Sequence, residues 1–115
     1  MATLTFSLKG PWSVLRLVGE IQTYADAATL RAVLFDRFSR PNFRLALDVT
    51  ELDFIGSSGI GVLAQTQQEL EKRGERMVLV GASHNIKQLL EIVSLDRMVV
   101  FLDRPEDLER LPSND

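Results

Sequence analysis

Leu45-Ala46-Leu47-Asp48-Val49-Thr50-Glu51-Leu52-Asp53-Phe54-Ile55-Gly56-Ser57-Ser58-Gly59-Ile60-Gly61-Val62-Leu63 changes its period half-way along. Its first part is an apolar run of strand character. Phe54-Ile55 leads into a turn of small residues, Gly56 to Gly59. From there Ile60, Leu63, Ala64 and Leu70 fall on one helical face. The reading is strand, turn, helix, with Ser57 and Ser58 at a helix N-terminus. Free N–H groups and a positive dipole end there favour a hydroxyl cap or an anion.

Working outward, Leu4-Thr5-Phe6-Ser7-Leu8 alternates apolar and polar as a half-buried strand does. Gly10-Pro11 breaks it, and Trp12 to Val18 reads as a second strand, so the pair forms a hairpin. Gly19-Glu20-Ile21-Gln22-Thr23-Tyr24 leads into a helix capped by Thr23. Leu30, Val33, Leu34 and Phe38 keep one face of that helix apolar, and Pro41-Asn42 stops it. Phe43 to Val49 is a third strand, dense enough in apolar residues to be buried on both faces.

The helix after the serines ends at Lys72-Arg73-Gly74, with bases in its last turn and a glycine beyond. Arg76 to Val80 is a fourth strand. Gly81-Ala82-Ser83-His84 turns into a helix with Ile86, Leu89, Leu90 and Val93 on one face. Met98 to Phe101 is a short fifth strand. Pro105 to Leu111 forms a last short helix, with proline near its start. The order β-β-α-β-α-β-α-β-α implies an α/β mixed sheet of about five strands and four helices, parallel except for the first strand. Strand order does not follow from the pattern. The domain expected is residues 1–111, with 112–115 a short tail.

Composition narrows the chemistry. The 115 residues are 45% hydrophobic, which suits one domain with a real core. A net charge of −3 gives no electrostatic case for nucleic acid or an anionic membrane. There is no cysteine, hence no disulfide or thiolate chemistry. No apolar run approaches the ~20 residues that span a bilayer. No signal peptide is visible, so a cytoplasmic domain is expected. Asp48, Glu51 and Asp53 read as solubilising strand-end charges rather than an acid–base pair. His84 is a lone histidine and a poor metal candidate. Gly59 and Gly61 lack the lysine and spacing of a phosphate loop, so close helix–strand packing is their expected role.

Two stretches carry a resemblance. Phe54-Ile55-Gly56-Ser57-Ser58-Gly59-Ile60-Gly61 is similar to the Asp-Ser-Ser-Gly-Leu-Gly signature of the STAS domain, the fold of bacterial anti-sigma-factor antagonists. Gly19-Glu20-Ile21-Gln22 is similar to the family's Gly-Glu-Ile-Asp. The resemblance implies a non-enzymatic switch without metal or cofactor. Such a protein binds an anti-sigma factor that is also a serine kinase and so releases a sigma factor. Phosphorylation weakens the complex and a phosphatase restores it. It implies Ser57 as phosphoacceptor, with Ser58 second. The docking surface implied is Glu20, Ile21, Gln22 and Thr23, the run Gly56 to Gly61 including Ile60, and Ser83 with His84. The expected state is a monomer or weak homodimer.

The bland reading of the serines is helix capping, worth about 1 kcal/mol over alanine. Gly56 and Gln22 stand where the family has acids. That departure favours the alternative, a constitutive unphosphorylated STAS subunit of an ABC-type lipid transport or signalling complex.

Overall fold

Gly10, at φ +58°, reverses the chain between the first two strands. In this computed structural model, which describes residues 2–38 and 44–111, β1 (Ala2–Lys9) pairs antiparallel with β2 (Trp12–Ile21), Ala2 opposite Gly19. The expected helix stop at Pro41-Asn42, the strand start at Phe43 and the tail 112–115 lie outside the described residues. Helix α1 (Tyr24–Arg37) leads to β3 (Arg44–Ile55), then α2 (Ser57–Lys72), β4 (Val78–Val80), α3 (His84–Ile92) and β5 (Val100–Leu102). The sheet order is β1-β2-β3-β4-β5, and every pair after the hairpin is parallel. Neighbouring strands in sequence are thus neighbours in space, the simplest arrangement short crossovers allow.

Several boundaries differ from the sequence reading. β3 runs on past Val49 to Ile55 because β2 stays beside it through two register shifts, ending at Ile21 opposite Ile55. Asp48, Glu51 and Asp53 therefore lie within the strand rather than beyond its end. Asp48 accepts from the Thr50 N–H and hydroxyl at 3.1 and 2.6 Å, and Glu51 pairs with Arg16 on β2. β4 begins only at Val78, since the Met77 N–H donates to Gln67 Oε1 at 2.9 Å. β5 starts at Val100 rather than Met98, because Met98 closes the 3₁₀ turn Leu95–Arg97 by donating its N–H to Leu95 O. The last helix, Pro105–Arg110, is itself 3₁₀.

The two faces of the sheet are covered unequally. Leu15, Leu17, Leu45, Leu47 and Leu79 meet Leu30 and Leu34 of α1, Leu63 and Leu70 of α2, and Ile86 and Leu90 of α3 in one continuous core. Each fully buried aliphatic side chain of this kind contributes about 1.5–3 kcal/mol. The other face carries a smaller cluster, Trp12, Val14, Ala46, Val78 and Val80, closed by Leu108 of the last 3₁₀ segment. Beyond Asp48, β3 outruns β4, whose Val80 is its last paired residue. β2 runs from Arg16, opposite Asp48, to Ile21, opposite Ile55, so at about 3.3 Å per residue the pair projects roughly 16 Å further. No helix among the described residues is long and apolar enough to cross a membrane.

Candidate functional site

The serines sit at the tip of that projection. Gly56 is the N-cap of α2, in ordinary extended backbone at φ −83° and ψ 177°. Its N–H donates to Ile21 O at 2.8 Å, and its carbonyl accepts from the Ile60 N–H at 3.0 Å. The first bond ties the end of β2 to the start of α2. It brings Glu20 to Thr23 and Gly56 to Gly61 together, as the sequence reading expects.

Neither serine caps the helix. Ser57 and Ser58 are its first two residues, Gly56 has no side chain, and no side-chain cap bond is made. The capping expectation fails because the turn places the non-helical residue one position earlier than the first hydroxyl. Ser57 is exposed and Ser58 half-buried. No acid lies in the first turn of α2, so its free N–H groups and dipole meet no side-chain countercharge from that turn.

The start of α1, close by, is closed. Thr23 Oγ1 accepts from the Asp26 N–H at 3.0 Å, and Asp26 Oδ2 accepts from the N–H groups of Thr23 and Gln22 at 3.3 Å each. The Thr23 backbone N–H, above all, holds the Asp26 carboxyl below its ordinary value of 3.8. Gln22 Nε2 donates to Glu20 Oε2 at 2.8 Å.

The two glycines part company. A Cβ on Gly59 would lie 2.7 Å from Ile55 Cγ1 and 2.9 Å from Ile21 Cγ2, so this is the close helix–strand approach expected. A Cβ on Gly61 would meet nothing within 4 Å. The packing role expected for Gly61 is absent, because the residue faces out of the core. It borders a cleft of about 340 Å³ between α1 and α2, with Tyr24, Ala28, Arg31, Ser58 and Gln65. Arg31 donates to Gln65 Oε1 at 3.3 Å across the cleft.

Of the other candidates, Ile21, Gly59 and Ile60 are buried and offer a docking partner no side chain. Glu20, Gln22, Thr23, Gly56, Ser57, Ser58 and Gly61 keep some or all of their surface. Ser83 caps α3, accepting from the Ile86 N–H at 3.2 Å, and His84 is its exposed first residue. Their turn leaves the sheet beside Thr50, where a Cβ on Gly81 would collide with the Thr50 hydroxyl. Ile55 lies roughly 13 Å further along, since Glu51 pairs with Val18 and Ile55 with Ile21 across a second register shift. The overrun of β3 past β4 thus offsets the 83–84 turn along the sheet from the serines, with which the resemblance groups it in one docking surface.

Two residues escaped the sequence reading. Tyr24 is 84% exposed and Phe54 is 42% exposed. The available signals were position and alternation: Tyr24 follows a cap, and Phe54 alternates with buried Ile55. Both flank the helix starts, with Phe54 Cε2 3.6 Å from where a Gly56 Cβ would be. Among the described residues, no group of three or more metal-ligating side chains gathers.

The STAS domain profile matches residues 7–107. The chain belongs to the STAS domain family. Among curated relatives, this STAS protein is 29% identical over 83 residues to an anti-sigma-B factor antagonist of Listeria monocytogenes, covering 72% of each chain. Among solved structures, it overlays the Bacillus cell fate determinant SpoIIAA in its phosphorylated form with TM-score 0.76 at 20% identity, over 96% of this chain and 100% of that one. The anti-sigma factor antagonist of Mycobacterium paratuberculosis gives TM-score 0.74 at 23% identity, over 96% and 92%.

Proposed function

We propose that this STAS protein is an anti-sigma-factor antagonist that acts by binding, with residues 1–111 as one cytoplasmic domain. Its partner is an anti-sigma factor, and phosphorylation of Ser57 weakens the complex. The kinase activity and its ATP belong to the partner, and a phosphatase resets the switch. The observation that carries this reading is the open start of α2. There an exposed serine precedes uncapped N–H groups, with exposed Phe54 just before the helix start and exposed Tyr24 opening α1 beside it. Aromatic residues of this kind are favoured at protein interfaces. The curated relative is named for antagonism of an anti-sigma factor, and a similar fold is known in a phosphorylated form.

A phosphoryl group brings about −1.5 to −2 charges and three acceptor oxygens. At this helix start it meets a positive dipole end and free N–H donors, so the fold tolerates it. A partner docked over Tyr24 and Phe54 meets a new charge that it must desolvate. The output is a change of binding without a change of fold. Gly56 fits this scheme: its backbone is ordinary, and a Cβ there would make only van der Waals contacts at 3.6 Å. The missing acid alters local charge and leaves the geometry intact.

The test has two parts. Trypsin releases Leu45 to Lys72 as one peptide, and mass spectrometry of protein from its own cells, in growth and in stress, reads phosphate on it. Condition-dependent phosphate on Ser57, and at least tenfold weaker binding of the folded Ser57→Asp protein to the anti-sigma factor, are expected. No phosphate in any condition, with Ser57→Asp binding undiminished, overturns the switch and leaves a constitutive subunit.

A further inference from the structure

We propose that the outer edge of β1 is a self-pairing surface, on which a second copy of this chain adds its own β1 antiparallel to make one continuous ten-stranded sheet. The proposal is independent of the phosphorylation switch. It begins from the unequal edges of the sheet. β5, at one end, is three residues long and is followed at once by the 3₁₀ segment Pro105–Arg110. β1, at the other, is eight residues long, pairs with β2 on one side, and has no strand on the other among the described residues. An uncovered strand presents a row of unpaired N–H and C=O groups. Proteins that stay apart protect such an edge with charges, prolines or bulges. Ala2-Thr3-Leu4-Thr5-Phe6-Ser7-Leu8-Lys9 carries one charge, at its end, and no proline. Its register with β2 is unbroken from Ala2 to Lys9.

The same strand is complementary to its own antiparallel copy. A two-fold axis normal to the sheet keeps the helical layers of both copies on one side, so even-numbered residues must face even-numbered ones. Centred on Thr5, the pairing sets Leu4 opposite Phe6 and Ala2 opposite Leu8 on the helical side. Thr3 then faces Ser7, and Thr5 faces itself, on the other side. Aliphatic residues thus meet aliphatic or aromatic ones and hydroxyls meet hydroxyls, the cross-strand pairs that stabilise antiparallel ladders. Lys9 falls outside the overlap, so the strand itself brings no charge into the pairing. Leu8, 80% exposed in the single chain, gains a neighbour. A cleft of about 370 Å³ between β1 and α1, lined by Phe6, Ala32, Val33, Asp36 and Arg37, borders the added strand, and the Arg37 guanidinium lies over the Phe6 ring at 4.0 Å, where its stem can cover apolar side chains while its charge stays in water. In this dimer the two α2 starts point to opposite ends, and both Ser57 sites stay open.

The absence of cysteine makes the register testable. Thr3, Thr5 and Ser7 are exposed, so substitution there leaves the core untouched. Directly opposed residues of an antiparallel pair have Cα atoms about 4.5–5.5 Å apart, within disulfide reach. Under mild oxidation of dilute protein, Thr5→Cys is expected to cross-link to itself. Thr3→Cys alone is not, while a mixture of Thr3→Cys with Ser7→Cys is. In sedimentation, the unaltered chain is expected to be a dimer, Thr5→Lys a monomer, and a mixture of Thr5→Lys with Thr5→Glu a dimer again. Three results would each overturn the proposal: a monomeric unaltered chain at millimolar concentration, a dimer indifferent to Thr5→Lys, or Thr3→Cys cross-linking as fast as Thr5→Cys.

Discussion

Helices α1 and α2 begin side by side at one tip of the sheet, and they begin differently. At α1, Thr23 and Asp26 satisfy each other's backbone groups, and Gln22 closes onto Glu20. At α2, a bare glycine caps the helix and two serine hydroxyls make no bond among the described residues. The first start serves stability, because its donors are already used. The second leaves donors and hydroxyls free for an incoming anion or partner. Adjacent elements of one fold thus divide the work, and the less finished end is where a switch can act.

That contrast can be broken in steps. The largest effect is expected at Gly59, where the close approach to Ile55 and Ile21 leaves no space for a methyl group. Gly59→Ala should lower stability by about 2 kcal/mol in urea denaturation, overpacking outweighing the gain in helix propensity. Next comes the closed start: Thr23→Ala should cost about 1 kcal/mol, whereas Ser57→Ala should stay within about 0.5 kcal/mol of the unaltered chain. Equal costs would erase the distinction between the two helix starts. Gly61→Ala should raise stability, by up to about 1 kcal/mol, since its Cβ meets nothing. Gly56→Asp should add a few tenths of a kcal/mol as an N-cap.

The subtlest test is pH. Backbone N–H donors, Thr23 first, depress the Asp26 carboxyl below 3.8, so the ionised form is the one the fold favours. Its stabilisation is therefore complete above that pH and is lost as pH falls through the lower folded value. Thermal melts in this acid range should converge for the unaltered chain and Asp26→Ala, with the difference restored near neutrality.

Much of this was legible in the residues. Apolar runs and turn residues name the five strands, and the Thr23 cap and the Gly74 stop, at φ +72°, stand where local chemistry puts them. What stayed illegible depends on partners distant in sequence. Strand order needs the whole sheet. The overrun of β3 needs β2 beside it, and the shortening of β4 needs Gln67 to take the Met77 N–H. At the site, Ser57-Ser58 reads as a cap from composition alone, and only the extended Gly56 backbone, whose carbonyl accepts the first helical bond from the Ile60 N–H, shows that the cap is the glycine. Gly59 and Gly61 are indistinguishable as letters. Their difference lies in whether a neighbouring strand stands behind them.

The projecting end of the sheet has one more consequence. From Val49 to Ile55, β3 has β2 as its only ladder neighbour among the described residues, because β4 stops opposite Asp48. Amide protons there have fewer barriers to solvent exchange than those of Leu45 to Leu47, which lie between two strands. A phosphoryl group on Ser57 would therefore be felt as a local change of exchange rate over the tip, while the base of the sheet keeps its own slow clock.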